Sequence, residues 1–307
     1  MIRLIVGRLV EALAALLLMS VVIFILSRVT GDPVALLLGD GATAEDRDLL
    51  ISQLKLDQPL WRQYLTFLEN ALAGDFGQSV AAGRRDALEV VLERLPASLS
   101  LAGVALGFTL LTGIAMGVLA AVTRGSAVDV IVRMIALLGQ SVPAFWLGIV
   151  LIYVFAVKWG LLPTSGYGTA AHYVLPALTL GTFTLAAVTR LVRASMLDAL
   201  ASEYVKLARI KGLSEATVVL KHALSNSLIP VVTFMGAFFA TMITGAVVVE
   251  TVFAWPGIGR LAYESIVSRD FPLIQTVVLV ITACFIIANF CVDMLYLAID
   301  PRMRDRG

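Results

Sequence analysis

Six long apolar stretches limit what this chain of 307 residues can fold into. A helix needs roughly 20 apolar residues to cross the hydrocarbon core of a bilayer. Hydrophobic residues make up 59% of the sequence and charged residues only 15%, whereas soluble domains carry about a quarter charged residues. The sequence therefore predicts an all-α polytopic membrane protein with six transmembrane helices. The predicted spans are approximately Leu9–Val29, Leu99–Val122, Met134–Val157, Tyr173–Thr189, Leu228–Val249 and Pro272–Val292.

Basic residues are concentrated on one side of these predicted spans. Because an even number of spans puts both termini on the same side, the side with Arg3 and Arg8 also holds the segments after the second and fourth spans. Those segments and the C-terminal tail carry eleven further basic residues, whereas the opposite short loops hold only Lys158, Arg260 and Arg269. The positive-inside rule then places both termini and the segment after the fourth span in the cytoplasm. We therefore expect a multi-pass protein of the cell inner (cytoplasmic) membrane.

The basic segment between the fourth and fifth spans is predicted to form two short helices joined by a turn. Apolar residues recur at helical spacing from Tyr204 to Ile210. Gly212 can end this helix with a positive φ, and Ser214 can cap the next helix, with Glu215 in its first turn. The segment is thus predicted to be a structured elbow rather than a simple connection.

The spacing of residues in this segment resembles a motif of a known family. Glu203, Gly212 nine residues later and Ile229-Pro230 resemble the cytoplasmic loop by which ABC-transporter permeases dock in a groove of the ATPase subunit. The usual Glu-Ala-Ala is Glu203-Tyr204-Val205 here, which resembles the dipeptide/oligopeptide branch. Other segments resemble that branch in the same order, from about Gly31 to Arg302: Gly74-Asp75-Phe76-Gly77-Gln78-Ser79, Glu93-Arg94-Leu95-Pro96-Ala97, Ser141-Val142-Pro143-Ala144-Phe145-Trp146 and Glu250-Thr251-Val252-Phe253-Ala254-Trp255-Pro256-Gly257.

The resemblance implies the fold of a type I ABC importer permease, with a five-span core and an added N-terminal peripheral helix. Its implied partners are a second homologous permease, two cytoplasmic ATP-binding subunits, a periplasmic or extracellular substrate-binding protein and membrane lipid, but no nucleic acid. ATP and Mg would be bound by the ATPase subunits, so we expect no cofactor in this chain. The implied substrate is a dipeptide or oligopeptide, while similar permeases carry nickel chelates, glutathione or oligosaccharides.

Two sets of site residues follow from the resemblance. The expected ATPase-coupling residues are Glu203 for a polar contact, Gly212 for the turn, Ala208 and Leu213 for burial in the groove, and also Tyr204 and Pro230. The expected external gate or substrate contact is Trp255-Pro256-Gly257, for which an interfacial loop anchored by the tryptophan is the alternative. No catalytic residue and no metal ligand are expected.

The predicted domain organisation has four parts. Residues 1–30 form the peripheral transmembrane helix, 31–98 an external helical segment, 99–297 the permease core with its coupling loop at 195–228, and 298–307 a basic cytoplasmic tail. Within 31–98 we expect a helix starting at Thr43, an amphipathic helix around Trp61 and Tyr64 with both rings suited to the headgroup level, and a third helix from Asp86 that ends at Pro96. This segment is either a small cap on the membrane domain or a platform for the substrate-delivery protein.

Several chemistries have no sequence support. No G-x-x-x-x-G-K-[ST] loop is present, and His172 and His222 have no acidic or cysteine neighbours at metal-ligand spacing. The predicted spans hold almost no ionisable residues, which argues against secondary active transport. The chain is therefore predicted to be a transporter subunit and not an enzyme. An ATPase-independent channel or facilitator and a membrane scaffold or assembly factor remain as alternatives.

Overall fold

The structure is a computed structural model that describes residues 2–29, 43–53 and 55–299, and most of these residues are helical. The N-terminal third contains α1 (Ile2–Val29), α2 (Ala44–Gln53), α3 (Leu60–Leu72) and a two-stranded antiparallel hairpin of β1 (Gln78–Ser79) and β2 (Arg85–Asp86). The remainder contains α4 (Ala87–Val122), α5 (Ala127–Ser141), α6 (Ala144–Leu151), a π-helix π1 (Ile152–Lys158), α7 (Ala170–Ala201), α8 (Glu203–Ile210), α9 (Glu215–Thr217), a π-helix π2 (Val218–Ala223), α10 (Leu224–Val252), α11 (Ile258–Val267) and α12 (Phe271–Ile299).

Five segments of the described chain are long and apolar enough to cross a membrane, and the count rises to six if one bent pair forms a single span. They lie in α1, α4, α7, the stretch from Glu215 into α10, and α12. Four of them contain a predicted span, and the stretch from Glu215, which ends at Ile243, overlaps the predicted span Leu228–Val249, which α10 as a whole contains. The bent pair corresponds to the remaining prediction, Met134–Val157.

That third predicted span is broken rather than continuous. In the structure it begins earlier, at Ala127, and α5 meets the α6–π1 segment at 107°. Pro143 explains the break because a proline disfavours helical angles in the residue before it. Val142 is accordingly extended, with φ −85° and ψ 127°. The single straight span from Met134 to Val157 is thus corrected to two helices joined at Val142-Pro143.

The prediction that a helix ends at Pro96 is wrong. Helix α4 runs for 36 residues with Pro96 inside it, so the predicted third external helix and the second span are one helix. A proline removes one helix hydrogen bond but need not end a helix whose neighbouring contacts hold it. Val91, Leu101 and Ala102, which flank Pro96 in α4, are fully buried.

Helix α2 begins where the sequence predicted. Thr43 donates from its backbone N–H and its hydroxyl to the Asp46 carboxylate, at 2.9 and 2.7 Å. The Asp46 N–H donates back to the Thr43 hydroxyl at 3.2 Å. These hydrogen bonds from Thr43 lower the pKa of Asp46. The reciprocal pair satisfies backbone donors that a helix start leaves unpaired.

The described chain divides into two compact units. The first contains Met1–Ala97 and Pro256–Ile286. Its hairpin is joined to the start of α12 by Asp270, which accepts hydrogen bonds from the Ser79 hydroxyl at 2.7 Å and the Ala81 N–H at 2.9 Å. Asp270 also caps α12 by accepting from the Leu273 N–H. The Gly74–Ser79 motif therefore has a structural use, since it builds the strand that carries Ser79.

The second unit contains Ser98–Trp255 and Ile287–Gly307. In its core α4 and α7 approach closely at glycines. An added Cβ at Gly113 would lie 2.8 Å from Val188 Cγ1, and one at Gly117 would lie 2.6 Å from Val192 Cβ. Small residues spaced four apart allow such close helix packing where lipid supplies no hydrophobic drive. The same spacing at Gly103 and Gly107 meets nothing within 4 Å in the described chain.

Candidate coupling site

The elbow between α8 and α9 is set by the backbone of Gly212. Gly212 has φ +77°, a conformation that L side chains disfavour. Its N–H donates to the Arg209 carbonyl at 2.9 Å, and the next N–H, of Leu213, donates to the Ala208 carbonyl at 3.3 Å. This pair of hydrogen bonds is the Schellman helix ending. The predicted positive φ at Gly212 is thus confirmed.

The start of the next helix fixes the other side of the elbow. Ser214 accepts from the Thr217 N–H at 3.4 Å, so the predicted N-cap is confirmed. Arg209 in α8 donates to Glu215 in α9, with Nε to Oε1 at 2.8 Å and Nη2 to Oε2 at 3.3 Å. Because both side chains are exposed, we expect this salt bridge to stabilise the elbow by at most about 1 kcal/mol. The backbone hydrogen bonds and the cap carry most of the geometry.

The inner face of α8 packs against the chain's own helices. Val205 is fully buried and Ala208 nearly so, in a cluster that includes Val192, Val218 and Ala223. Ala208 was expected to enter a partner's groove, but its side chain lies in this core instead. Its contribution to coupling stays a prediction, and in this position it would act by holding α8 in place.

The outer face of the elbow presents apolar side chains to the surroundings. Ile210 is 81% exposed and Leu207 52%, while Tyr204 and Leu213 are also exposed. We call these four residues the elbow patch. The Glu203 carboxylate lies at its edge and pairs with Lys206 Nζ at 2.8 Å. Four neighbouring exposed apolar side chains on a turn are typical of a protein-binding surface.

The helices on both sides of the elbow are long. Helix α7 runs without interruption from Ala170 to Ala201 and is followed after Ser202 by α8. On the other side, α9 and π2 lead directly into α10, and Pro230 lies inside α10. The elbow is therefore connected to two apolar helices by at most a single intervening residue at each joint.

An ion pair between Arg193 and the buried carboxylate of Asp129 joins α7 to α5. Arg193 donates from Nε and Nη2 to the two carboxylate oxygens of Asp129, both at 2.8 Å. Asp129 also accepts from the Gly125 N–H at 3.1 Å and pairs with Arg133 at 3.2 Å. Sequence reasoning missed this pair, since the two residues lie 64 positions apart. An acidic residue three after Ser126, at a helix start, was the available local signal.

Trp255 lies in an aromatic cluster. Its side chain is fully buried and makes edge-to-face contacts with Tyr167 and Tyr173, at centroid distances of 4.9 and 4.6 Å. The Tyr173 hydroxyl also lies 3.1 Å from that of Ser100. A hydrogen bond with Tyr173 raises the pKa of Tyr167. Trp255 therefore positions surrounding elements, and its predicted gate or substrate role stays a prediction.

The turn that holds Trp255 has its own ending. The Trp255 N–H donates to the Glu250 carbonyl at 2.8 Å, around Ala254 at φ 49°. Gly257 forms the N-cap of α11, and Pro256 precedes it. The Glu250 carboxylate is fully buried and accepts from the Ser98 hydroxyl at 2.5 Å. Sequence reasoning did not single out Glu250, although it begins the quoted Glu250–Gly257 motif.

Comparison with known proteins identifies the family. The model of the family described as "Binding-protein-dependent transport system inner membrane component" matches residues 113–305. The model of its N-terminal membrane component matches residues 1–102. The chain belongs to this family. It is a multi-pass inner-membrane permease subunit of an ABC importer and not an enzyme, and the family implies ATPase and substrate-binding protein partners.

Relatives cover this permease over its whole length. The glutathione transport system permease proteins GsiC of Escherichia coli (strain K12) and Shigella flexneri serotype 5b (strain 8401) are each 42% identical over 305 residues, which is 99% of either chain. The predicted resemblance to ABC-transporter permeases is thereby confirmed.

Solved structures confirm the fold of the permease. The MetNI methionine ABC transporter in inward-facing conformations matches with a TM-score of 0.58 at 20% identity, over 69% of this chain and 96% of that chain. An amino acid ABC transporter with histidines matches with a TM-score of 0.54 at 14% identity, over 68% and 94%. The fold is that of a type I importer permease.

Proposed function

We propose that this permease forms half of the passage of an importer for short peptides, with glutathione as the first candidate substrate. Support for this substrate class comes from the 42% identical relatives, whose name states glutathione transport. It agrees with the peptide-transport branch that the Glu203–Pro230 and Glu250–Gly257 segments resemble. The second half of the passage would come from a homologous permease, with two ATPase subunits and a substrate-binding protein completing the assembly.

The observation that carries the coupling role is the elbow patch on a fixed turn. We propose that Tyr204, Leu207, Ile210 and Leu213 bind in a groove of a cytoplasmic ATPase subunit, with Glu203 making a polar contact at the rim. Burial of exposed apolar side chains supplies affinity, and the capped turn holds them in a fixed arrangement. Both chain termini would lie on the same cytoplasmic side.

The proposed mechanism is a shift between two arrangements of the helices. When ATP closes the two ATPase subunits, each groove moves and takes the bound elbow with it. Helices α7 and α10 follow because they are joined to the elbow. Coupling of this kind needs the bound ATPase to favour one arrangement by about 1–3 kcal/mol. Hydrolysis would then restore the first arrangement.

The docking proposal is tested by placing charge in the elbow patch. Leu207→Asp together with Ile210→Asp should abolish co-purification of the ATPase subunit while the permease still inserts in the membrane. The control is Leu161→Asp, at a leucine that is 68% exposed in the loop before α7. Unchanged ATPase recovery with the double variant would overturn the proposed docking surface. If the chain were instead a channel that acts without ATPases, even the unaltered protein would form no stable complex with an ATPase subunit.

Orientation and substrate need separate measurements. An impermeant amine- or thiol-directed label should reach Lys211, or a cysteine placed there, only in inside-out vesicles. Labelling in intact cells would contradict the cytoplasmic position of the elbow.

For the substrate, vesicles that contain the complete transporter should accumulate glutathione when ATP is supplied on the side of the membrane that holds the ATPase subunits. Uptake of unrelated dipeptides, nickel chelates or oligosaccharides without glutathione would assign another substrate.

A further inference from the structure

Helix α3 has an exposed apolar stripe that the transport function does not explain. Trp61, Leu65, Leu68 and Leu72 recur at i, i+4, i+7 and i+11, so they lie along one side of the helix. Trp61 is 60% exposed, Leu65 47% and Leu72 82%. A stripe of this kind on a short helix costs free energy in water, so it needs a covering surface.

A second face of α3 is already occupied by α1. The Tyr64 hydroxyl lies 2.9 Å from the Ser20 hydroxyl. The Phe24 ring contacts the rings of Tyr64 and Phe67 at centroid distances of 5.5 and 5.8 Å. At 100° per residue this face lies about a quarter turn from the exposed stripe. The stripe is therefore separate from the residues that join α3 to α1.

The contact with α1 places α3 at a definite depth. Helix α1 is apolar enough to span the bilayer from Val6 to Val29. Ser20 and Phe24 lie about 8 to 14 Å before Val29 along the helix axis, at 1.5 Å per residue. In a core of about 30 Å, a helix of this length reaches the bilayer surface near Val29, so the side chains of Tyr64 and Phe67, which contact Ser20 and Phe24, extend about 8 to 14 Å below that surface.

The remaining face of α3 is polar. Arg62, Thr66, Glu69 and Asn70 lie on the side away from the stripe, together with Gln63, which donates to the Leu56 and Gln58 carbonyls at 3.0 and 2.8 Å. The Arg62 guanidinium lies over the Trp61 ring, 5.5 Å from the ring centroid. A basic side chain folded over a tryptophan at the border between polar and apolar faces is typical of membrane-surface helices.

We propose that α3 is an interfacial helix that lies in the bilayer surface at the Val29 end of α1, with Trp61, Leu65, Leu68 and Leu72 in lipid. Lipid is favoured over a protein partner because α3 packs on α1, a helix long and apolar enough to cross a membrane, whose Leu18, Val22 and Ile25 are themselves exposed. The headgroup position predicted from sequence for both aromatic residues is thereby refined, since Tyr64 packs on α1 and Trp61 carries the lipid contact.

Site-specific labels with two quenchers test this proposal. In a background where Cys284 and Cys291 are replaced by alanine, single cysteines at Leu65→Cys and Leu72→Cys are labelled with an environment-sensitive fluorophore. Thr66→Cys and Asn70→Cys, which lie roughly opposite the stripe on the same helix, are the matched controls. The complete transporter is reconstituted in phosphatidylethanolamine–phosphatidylglycerol vesicles. Nitroxide attached to lipid chains then serves as one quencher, and iodide in water as the other.

We expect lipid-borne nitroxide to quench positions 65 and 72 several-fold more than positions 66 and 70, and iodide to show the reverse order. Equal iodide quenching at 65 and 70 would show that the stripe faces water and would overturn the proposal. Shielding of 65 and 72 from both quenchers would show that a protein covers the stripe, and would also overturn it. Adding the substrate-binding protein then tells whether that protein is the cover. None of these outcomes depends on the transported substrate.

Discussion

At the scale of single residues, Gly212 shows how a local rule can determine the shape of a turn. A Cβ added to Gly212 would meet nothing within 4 Å, so glycine is favoured there because of the positive φ and not for lack of space. Glycine after a helix and serine two positions later are local signals, and the sequence alone therefore predicted the elbow. The exposure of Ile210 and the burial of Ala208 depended on distant helices and could not be read locally.

Replacing Gly212 with valine should uncouple the transporter. A β-branched residue at φ +77° costs about 1–2 kcal/mol, so the elbow would relax to another shape. We expect substrate-stimulated ATPase activity and ATP-driven uptake in vesicles to be lost, with normal membrane insertion. Gly160→Val is the matched control, because Gly160 also has positive φ and open space but lies in the loop before α7. Normal uptake by Gly212→Val would contradict the coupling model.

Asp129 offers a second test at this scale. In the unaltered protein the Asp129 carboxylate accepts from N–H groups of Arg193, Arg133 and Gly125. Asp129→Asn replaces one of its oxygens by an NH2 group, a donor that would face these other donors. We therefore expect a lower Tm in detergent than for the unaltered protein. Arg133→Gln should change Tm less, because Arg133 is half exposed and contributes one longer contact. A smaller effect for Asp129→Asn than for Arg133→Gln would remove Asp129 as the anchor between α5 and α7.

At the scale of secondary-structure elements, the crossing of α4 and α7 explains only part of a sequence pattern. Two glycine pairs in α4, Gly103 with Gly107 and Gly113 with Gly117, have the same spacing of four residues. The pair Gly113 and Gly117 does pack on α7, while Gly103 and Gly107 are open in the described chain. Spacing identifies a face suited to close approach, but the partner helix depends on the whole arrangement of spans.

Enlarging these glycines separates their roles. Gly117→Leu inserts a side chain where a Cβ alone would lie 2.9 Å from the Thr189 carbonyl oxygen. Overpacking of this kind typically costs about 1–3 kcal/mol, so a lower midpoint is expected in denaturant or thermal unfolding in detergent. Gly107→Leu on the same helix should leave the unfolding of the isolated subunit unchanged. Equal destabilisation by both variants would show that the close contact with α7 is not the cause.

At the scale of the whole molecule, hydrophobic patterning was enough to predict the membrane class and the location of the spans. The bend at Val142-Pro143 and the continuation of α4 through Pro96 show the limit of that reasoning. Both sites contain a proline, yet one helix ends and the other continues, because neighbouring packing decides which backbone groups stay satisfied. Long-range pairs such as Asp129–Arg193 and Ser98–Glu250 likewise had no local pattern that joined them.

Trp255 has a large, fully buried side chain and also belongs to the predicted external gate or substrate contact. Trp255→Phe keeps an aromatic ring but removes much of the contact with Tyr167 and Tyr173. If the cluster positions the transport passage, uptake and substrate-stimulated ATPase activity should both fall in vesicles. Trp146→Phe, at a tryptophan that is half exposed, is the control. Unchanged transport and ATPase rates for Trp255→Phe and Trp255→Ala would remove the proposed gate role.

The uninterrupted course of α7 has a mechanical consequence. Its 32 residues make a rod about 48 Å long, with Tyr173 and the Trp255 ring near its first turn and the elbow beyond its last. A pivot of about 5° near one end of such a rod sweeps the other end through an arc of about 4 Å. A displacement on the order of one water layer at the tryptophan would thus need only a small rotation of the helix about its elbow end.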